Sequence, residues 1–69
     1  MHDHSKLRGR IVEKFGTISA FTKALGSSTV TVSAKLNNKS GFSRSDIEHW
    51  SELLEIPSAE IGLYFFVKI

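Results

Sequence analysis

The sequence contains no cysteine, a single proline and no long apolar run. Without cysteine, the fold cannot depend on disulfides or on zinc bound by thiolates, and nothing indicates an oxidising compartment. A membrane helix needs roughly 20 predominantly apolar residues, and no stretch approaches that length. The N-terminus, Met-His-Asp-His, has no hydrophobic signal core. We therefore expect a soluble, cytoplasmic protein without a membrane partner.

The chain also lacks the combinations of residues that form catalytic or metal-binding sites. Its serines and threonines near position 30 have no histidine or carboxylate placed to act as a base. His2 and His4 are close enough to bind a transition metal, but histidines near a chain end are more often solvated. Glu48 and Glu52 lie four residues apart, which is typical of a solvated helix edge. We predict no enzyme activity, no metal and no cofactor.

The length and the order of charges are more informative. A chain of 69 residues has room for one domain, and it buries only about 60% of its unfolded surface, so well-packed helices or association must stabilise it. Up to position 45 there are eight basic and two acidic residues, a net charge of +6. From position 46 there are one basic and five acidic residues, a net charge of −4. This order predicts a basic half suited to phosphates or an acidic protein face, although charges also simply solvate surfaces.

Apolar residues at helical spacing predict five short helices. The first covers residues 5–15 and buries Leu7, Ile11, Val12 and Phe15. A polar loop over residues 37–41 precedes the fourth helix, which begins at residues 43–46 and stops at Ile56-Pro57. The buried face of that helix is predicted to contain Ile47, Trp50, Leu53 and Leu54, with Phe42 as a loop anchor.

Two of the helices form a pair joined by a tight turn, with the plan of a helix-turn-helix over about residues 17–37. Thr17 is the predicted N-cap of the second helix, which ends at residue 25, and Gly26 supplies the positive φ of the turn. Ser27 or Ser28 then caps a third helix that runs to about residue 36. The expected apolar stripe of the pair contains Ile18, Phe21, Ala24, Leu25, Val32 and Leu36.

The last segment is harder to assign. Ser58 is predicted to cap a short fifth helix, with Glu60 favourable in its first turn. Residues 63–67 either finish that helix or extend as a strand. A small chain has little interior for large side chains, so the segment either closes the core or contacts a second copy or a partner. The residues concerned are Tyr64, Phe65, Phe66, Val67 and Ile69.

Several short motifs together resemble one family. Ala24-Leu25-Gly26, Thr31-Val32-Ser33, Leu36-Asn37 and Ile56-Pro57 with Glu60-Ile61 are similar to the Cro and repressor type of phage helix-turn-helix proteins. Residues 6–10 and 63–66 narrow the resemblance to the small modulator-of-repression proteins of lactococcal temperate phages. The resemblance spans about residues 7–66 and implies an all-α, compact five-helix, phage-repressor-like domain over 1–69. It also implies a regulator of a lysis–lysogeny switch in a bacterial host.

The third helix would carry recognition in such a protein, but its exposed face is poor in base-reading side chains. Arginine, lysine, asparagine and glutamine are the strong readers of bases, and the first two turns present none of them outward. Hydroxyls and small apolar groups dominate instead. The positions expected to be exposed are Thr29, Val30, Ser33, Ala34 and Asn37.

An apolar helix face with a basic rim also suits contact with protein. We predict that Lys23, Lys35 and Lys39 form the rim, and that Ser28 and Asn38 complete the contact surface. Following the resemblance, the expected partner is the DNA-binding domain of a phage repressor, which makes this chain an antirepressor. Weak or joint binding to operator DNA stays open. The alternatives are a Cro-like repressor that binds its operator alone, and isolated surface residues without a role.

Overall fold

The computed structural model describes residues 2–68. In that range it contains five α-helices: α1 (Ser5–Phe15), α2 (Ile18–Leu25), α3 (Thr29–Leu36), α4 (Arg44–Leu54) and α5 (Ile61–Phe65). A single 3₁₀ turn, Ser58–Glu60, leads into α5. Thus the predicted all-α, five-helix architecture is confirmed. No helix within these residues is both long and apolar enough to cross a membrane.

The helix ends follow the local chemistry of the sequence. Thr17 accepts a hydrogen bond from the Ala20 N–H at 3.0 Å, and Ser28 accepts one from the Thr31 N–H at 3.2 Å. Each bond satisfies a backbone donor that the first turn of a helix leaves without a partner. Between them Gly26 has a φ of 75°, which ends α2 in the left-handed conformation. The predicted turn of the helix-turn-helix is therefore present.

The core lies where the five helices meet, around Trp50. This side chain is 1% exposed, and its ring centroid lies 4.9 Å from that of Phe21 and 4.8 Å from that of Phe42. Both contacts are edge-to-face, the arrangement that aromatic pairs favour. Phe42 is partly buried and contacts the core, so it anchors its loop as predicted. The other buried apolar residues are Leu7, Ile11, Val32, Leu36, Leu54, Ile56, Tyr64 and Phe65.

Three predictions about packing and capping are wrong. Val12 is 51% exposed because it lies beyond the edge of the stripe that Leu7 and Ile11 bury. Ala24 is exposed, so the buried stripe of α2 is narrower than its spacing suggests. Ser58 does not cap a helix through its side chain, since the 3₁₀ turn begins after Pro57.

The N-terminal segment is tied to the C-terminal one. Asp3 donates its N–H to the Val67 carbonyl at 2.7 Å, and His2 forms an antiparallel bridge with Lys68. Residues 63–65 finish α5, which ends at Phe65, as one of the two predictions had it. Phe66 has a φ of −122° and a ψ of 17°, which is not extended, so the alternative of a strand over residues 63–67 is wrong. His4 is only 6% exposed, so the expectation that it is solvated is wrong. Its ring packs on Phe42 at a centroid distance of 5.4 Å.

Candidate functional site

The outer face of α3 forms a shallow concavity of about 320 Å³. Val30 is 79% exposed, whereas Val32, two residues further on, is completely buried against the core. The residues around the concavity are six of the predicted contact positions: Thr29, Val30, Ser33, Ala34, Asn37 and Lys39. We call these six residues the docking face. Ser33 and Ala34 are half-buried in its floor rather than fully exposed as predicted.

Three other predicted contact residues serve the fold or lie outside this concavity. Ser28 uses its hydroxyl as the cap of α3 and contacts the Thr31 hydroxyl at 2.9 Å. Asn38 accepts from the His2 N–H at 2.9 Å and donates to the His2 carbonyl at 2.7 Å. Its backbone also has a φ of 61°. Lys23 is exposed on α2 but does not line the docking face.

Lys35 is not part of an open basic rim, which corrects the prediction. Its side chain is 14% exposed and forms an ion pair with Asp46 of α4, with Nζ and Oδ2 2.7 Å apart. It also donates to the Gly41 carbonyl at 3.3 Å. Hydrogen bonding from Lys35 lowers the pKa of the Asp46 carboxyl below its usual range. Helical spacing assigns Lys35 to a flank of α3, but it gives no information about the carboxylate on α4 that binds it.

Sequence reasoning missed Arg8, which adds a charge beside the docking face. Arg8 lies in α1 and donates from Nη2 to the Asn37 Oδ1 atom at 2.6 Å. The two residues are 29 positions apart, so no local pattern indicates this contact. Within residues 2–68 neither Arg8 nor Lys39 forms an ion pair with a carboxylate. The positive charge at the docking face therefore comes from Arg8 and Lys39.

The predicted separation of charge along the chain is neutralised in part by ion pairs. Of the four ion pairs found among the described residues, three join a basic residue from positions up to 45 to an acidic residue beyond it. These pairs are Lys14 with Glu55, Lys35 with Asp46 and Arg44 with Glu48. Lys14 also lowers the pKa of the Glu55 carboxyl.

A second exposed apolar surface lies at the end of the chain. Leu63, Phe66 and Val67 are 50%, 54% and 37% exposed, and we call them the C-terminal patch. Tyr64 and Phe65 are buried and close the core. Contact between two copies through this segment stays a prediction, and Ile69 lies outside the described residues.

Together, the turn at Gly26, the pairing of α2 with α3 and the exposed face of α3 define a helix-turn-helix protein of the phage-repressor type. A family model described as "Protein of unknown function (DUF739)" matches residues 1–68, so the chain belongs to that family.

A solved relative is more informative about biological context. The chain is similar to the modulator of repression of the temperate bacteriophage TP901-1 from Lactococcus lactis, whose solution structure superimposes with a TM-score of 0.85. The two sequences are 42% identical, over 94% of this chain and 88% of the phage protein. Among curated proteins, no sequence matches. The resemblance to phage modulators of repression is therefore confirmed.

Proposed function

We propose that this protein is a small phage regulator that acts as an antirepressor in a lysis–lysogeny switch. Its docking face covers the DNA-reading surface of a repressor and so keeps that repressor from its operator. The similarity to a modulator of repression supports the class of function. The geometry of the docking face supports contact with protein.

The observation that carries the proposal is the exposure of Val30 at the centre of the docking face. An apolar side chain that is 79% exposed does not pack in the core of its own domain, so it is free to contact a partner. Val30 and Ala34 lie one helical turn apart beside a concavity of about 320 Å³, which has room for one apolar side chain of a partner. Interfaces place such contacts at the centre and polar groups at the rim, where Asn37 and Lys39 lie.

The alternative of a Cro-like repressor is less favoured by the same face. Base recognition relies on arginine, lysine, asparagine or glutamine side chains in the major groove. Lys35 is the one such residue within α3, and it is bound to Asp46. Thr29 and Ser33 offer hydroxyls of low selectivity. We propose that DNA contact by the protein alone is weak, while Arg8 and Lys39 leave joint contact with operator DNA open.

The proposed role places the protein in the cytoplasm of the host bacterium, where the repressor and the operator are. We further propose that residues 1–69 act as one domain and that the helix-turn-helix of about residues 17–37 supplies the contact. No catalytic step is part of this role.

The test is a gel-shift experiment with the repressor of the same phage and its operator, with and without this protein. We expect the protein to release the repressor from DNA and to leave operator DNA alone unshifted at physiological salt. Val30→Asp should remove the effect, whereas Glu52→Gln on α4 is the control that keeps it. A joint complex on the operator would show that the docking face leaves the DNA-reading surface of the repressor free. Tight binding of this protein alone to the operator would instead establish the Cro-like function.

A further inference from the structure

Lys35 is the single charged residue of α3, whose sequence is TVTVSAKL. When the second helix of a helix-turn-helix enters the major groove, phosphates lie on both sides of it. Lysines on the flanks of such a helix ordinarily contact those phosphates and supply affinity for any DNA sequence. The position of the Lys35 ammonium group therefore decides how much non-specific DNA binding this helix provides.

The structure directs that group away from the docking face. Lys35 borders the space between α3 and α4 together with Asp46, His49 and Trp50, and it is absent from the concavity of the docking face. Its Nζ lies 2.7 Å from Asp46 Oδ2 and 5.9 Å from the centre of the Phe42 ring. Hydrogen bonds between two charged groups are stronger than those between neutral groups, so this arrangement holds the side chain in place.

The carboxylate that accepts from Lys35 is also held by hydrogen bonds at the start of its own helix. Asp46 Oδ2 accepts the Ser43 N–H at 2.9 Å, and Ser43 Oγ accepts the Asp46 N–H at 3.1 Å. This reciprocal pair is a capping box that starts α4. The carboxylate that binds Lys35 is therefore positioned by its own helix.

We infer that Asp46 is a specificity-determining residue that makes α3 select protein over DNA by holding the charge of Lys35 off the docking face. Two effects act in the same direction. DNA loses a phosphate contact, and a partner whose own DNA-reading surface is positively charged meets less repulsion. The second effect depends on the proposed function, in which the partner is a repressor, whereas the first does not.

The test measures binding to a fluorescent 20-base-pair DNA duplex of arbitrary sequence between 50 and 300 mM salt. Asp46→Asn removes the carboxylate charge but keeps an oxygen that can cap α4. We expect its DNA affinity to rise about tenfold at 50 mM salt, with the gain shrinking about threefold by 200 mM, as one added phosphate contact predicts. Asp46→Ser, which also keeps a capping oxygen, should behave the same way, and circular dichroism confirms that each variant is folded.

Two controls distinguish the effect of releasing the Lys35 side chain from the effect of a more positive net charge. Glu48→Gln changes the net charge by the same unit but frees Arg44, whose side chain is already 94% exposed, so DNA affinity should change little. Lys35→Gln combined with Asp46→Asn should return DNA affinity to that of the unaltered protein. The inference is overturned if Asp46→Asn raises DNA affinity no more than Glu48→Gln does. It is also overturned if the double variant keeps the raised DNA affinity.

A parallel measurement uses the DNA-binding domain of the repressor. We expect Asp46→Asn to weaken this binding severalfold at low salt and the double variant to recover it. If the unaltered protein does not bind the repressor domain at all, the proposed function fails, and the DNA measurements still decide whether Asp46 controls Lys35.

Discussion

At the scale of single residues, neighbouring valines in α3 have opposite roles. Val30 is 79% exposed at the docking face and Val32 is fully buried. The helical period alone separates them, because two positions along a helix turn the side chain by about 200°. The same period predicts correctly that Val32 and Leu36 face the core.

This contrast gives a matched pair of substitutions. Val30→Asp should abolish binding to the repressor while changing the melting temperature little, since position 30 is exposed. Val32→Asp should unfold the domain, because burying an unpaired carboxylate costs several kcal/mol out of a total stability of about 5 kcal/mol. Circular dichroism melts and a binding assay of both variants check this. If Val30→Asp unfolds the domain, the assignment of Val30 to an exposed docking face is wrong.

Glycine substitutions give a second pair. Gly26 has a φ of 75°, so Gly26→Ala should destabilise the protein by about 1 kcal/mol even though an added methyl group meets no neighbour. Gly9 lies inside α1 with equal space, and Gly9→Ala should stabilise by about 0.5–1 kcal/mol through helix propensity. Urea unfolding of both variants measures whether each substitution lowers or raises the free energy of unfolding. A stabilising Gly26→Ala would refute the left-handed turn.

At the scale of elements, the caps and the connections between helices have different origins. Thr17, Ser28 and Ser43 each cap a helix within three residues of chain, and local patterns predict such contacts. Ser58 fails as a cap because Pro57 is followed by a 3₁₀ turn instead of a helix. Lys35 was misassigned to the basic rim because its partner lies on another helix.

The start of α4 should be sensitive to acid. Because the folded protein lowers the pKa of Asp46, the unfolded chain binds the proton first as the pH falls. The stability from this group is therefore complete above about pH 4, the usual range for aspartate, and is lost as the pH falls through the lowered value. In urea unfolding, Asp46→Asn should be less stable than the unaltered protein at pH 7, and this difference should shrink as the solution is acidified towards pH 2. An unchanged difference would contradict the role of the carboxylate.

At the scale of the whole molecule, folding rearranges both charge and chain ends. Two ion pairs between different elements, Lys14 with Glu55 and Lys35 with Asp46, neutralise part of the charge separation seen along the sequence. The N-terminal segment contacts the C-terminal one and the loop after α3, through Asp3 with Val67 and His2 with Asn38. The N-terminal segment thus links the end of the chain to the loop that follows α3.

The C-terminal patch predicts association between copies. If two chains meet there, sedimentation of the unaltered protein should show a dimer that dissociates on dilution. Phe66→Ser should then give a monomer with a nearly unchanged melting temperature, because this side chain is 54% exposed. Val12→Ser on α1, with 51% exposure, is the matched control that should leave the dimer intact. A monomer at all concentrations would exclude contact through the patch.

Local patterns in the sequence are enough to predict the helices, the turn at Gly26, the burial of Trp50 and the exposure of Val30, because each depends on periodicity or on bonds within a few residues. Three other features become visible only in the folded structure: Arg8 lies beside Asn37, Lys35 is bound to Asp46 and His4 is buried beside Phe42. These contacts join residues from different elements, and their distances depend on how the helices pack. That packing minimises the free energy of the whole chain, so no local pattern contains it.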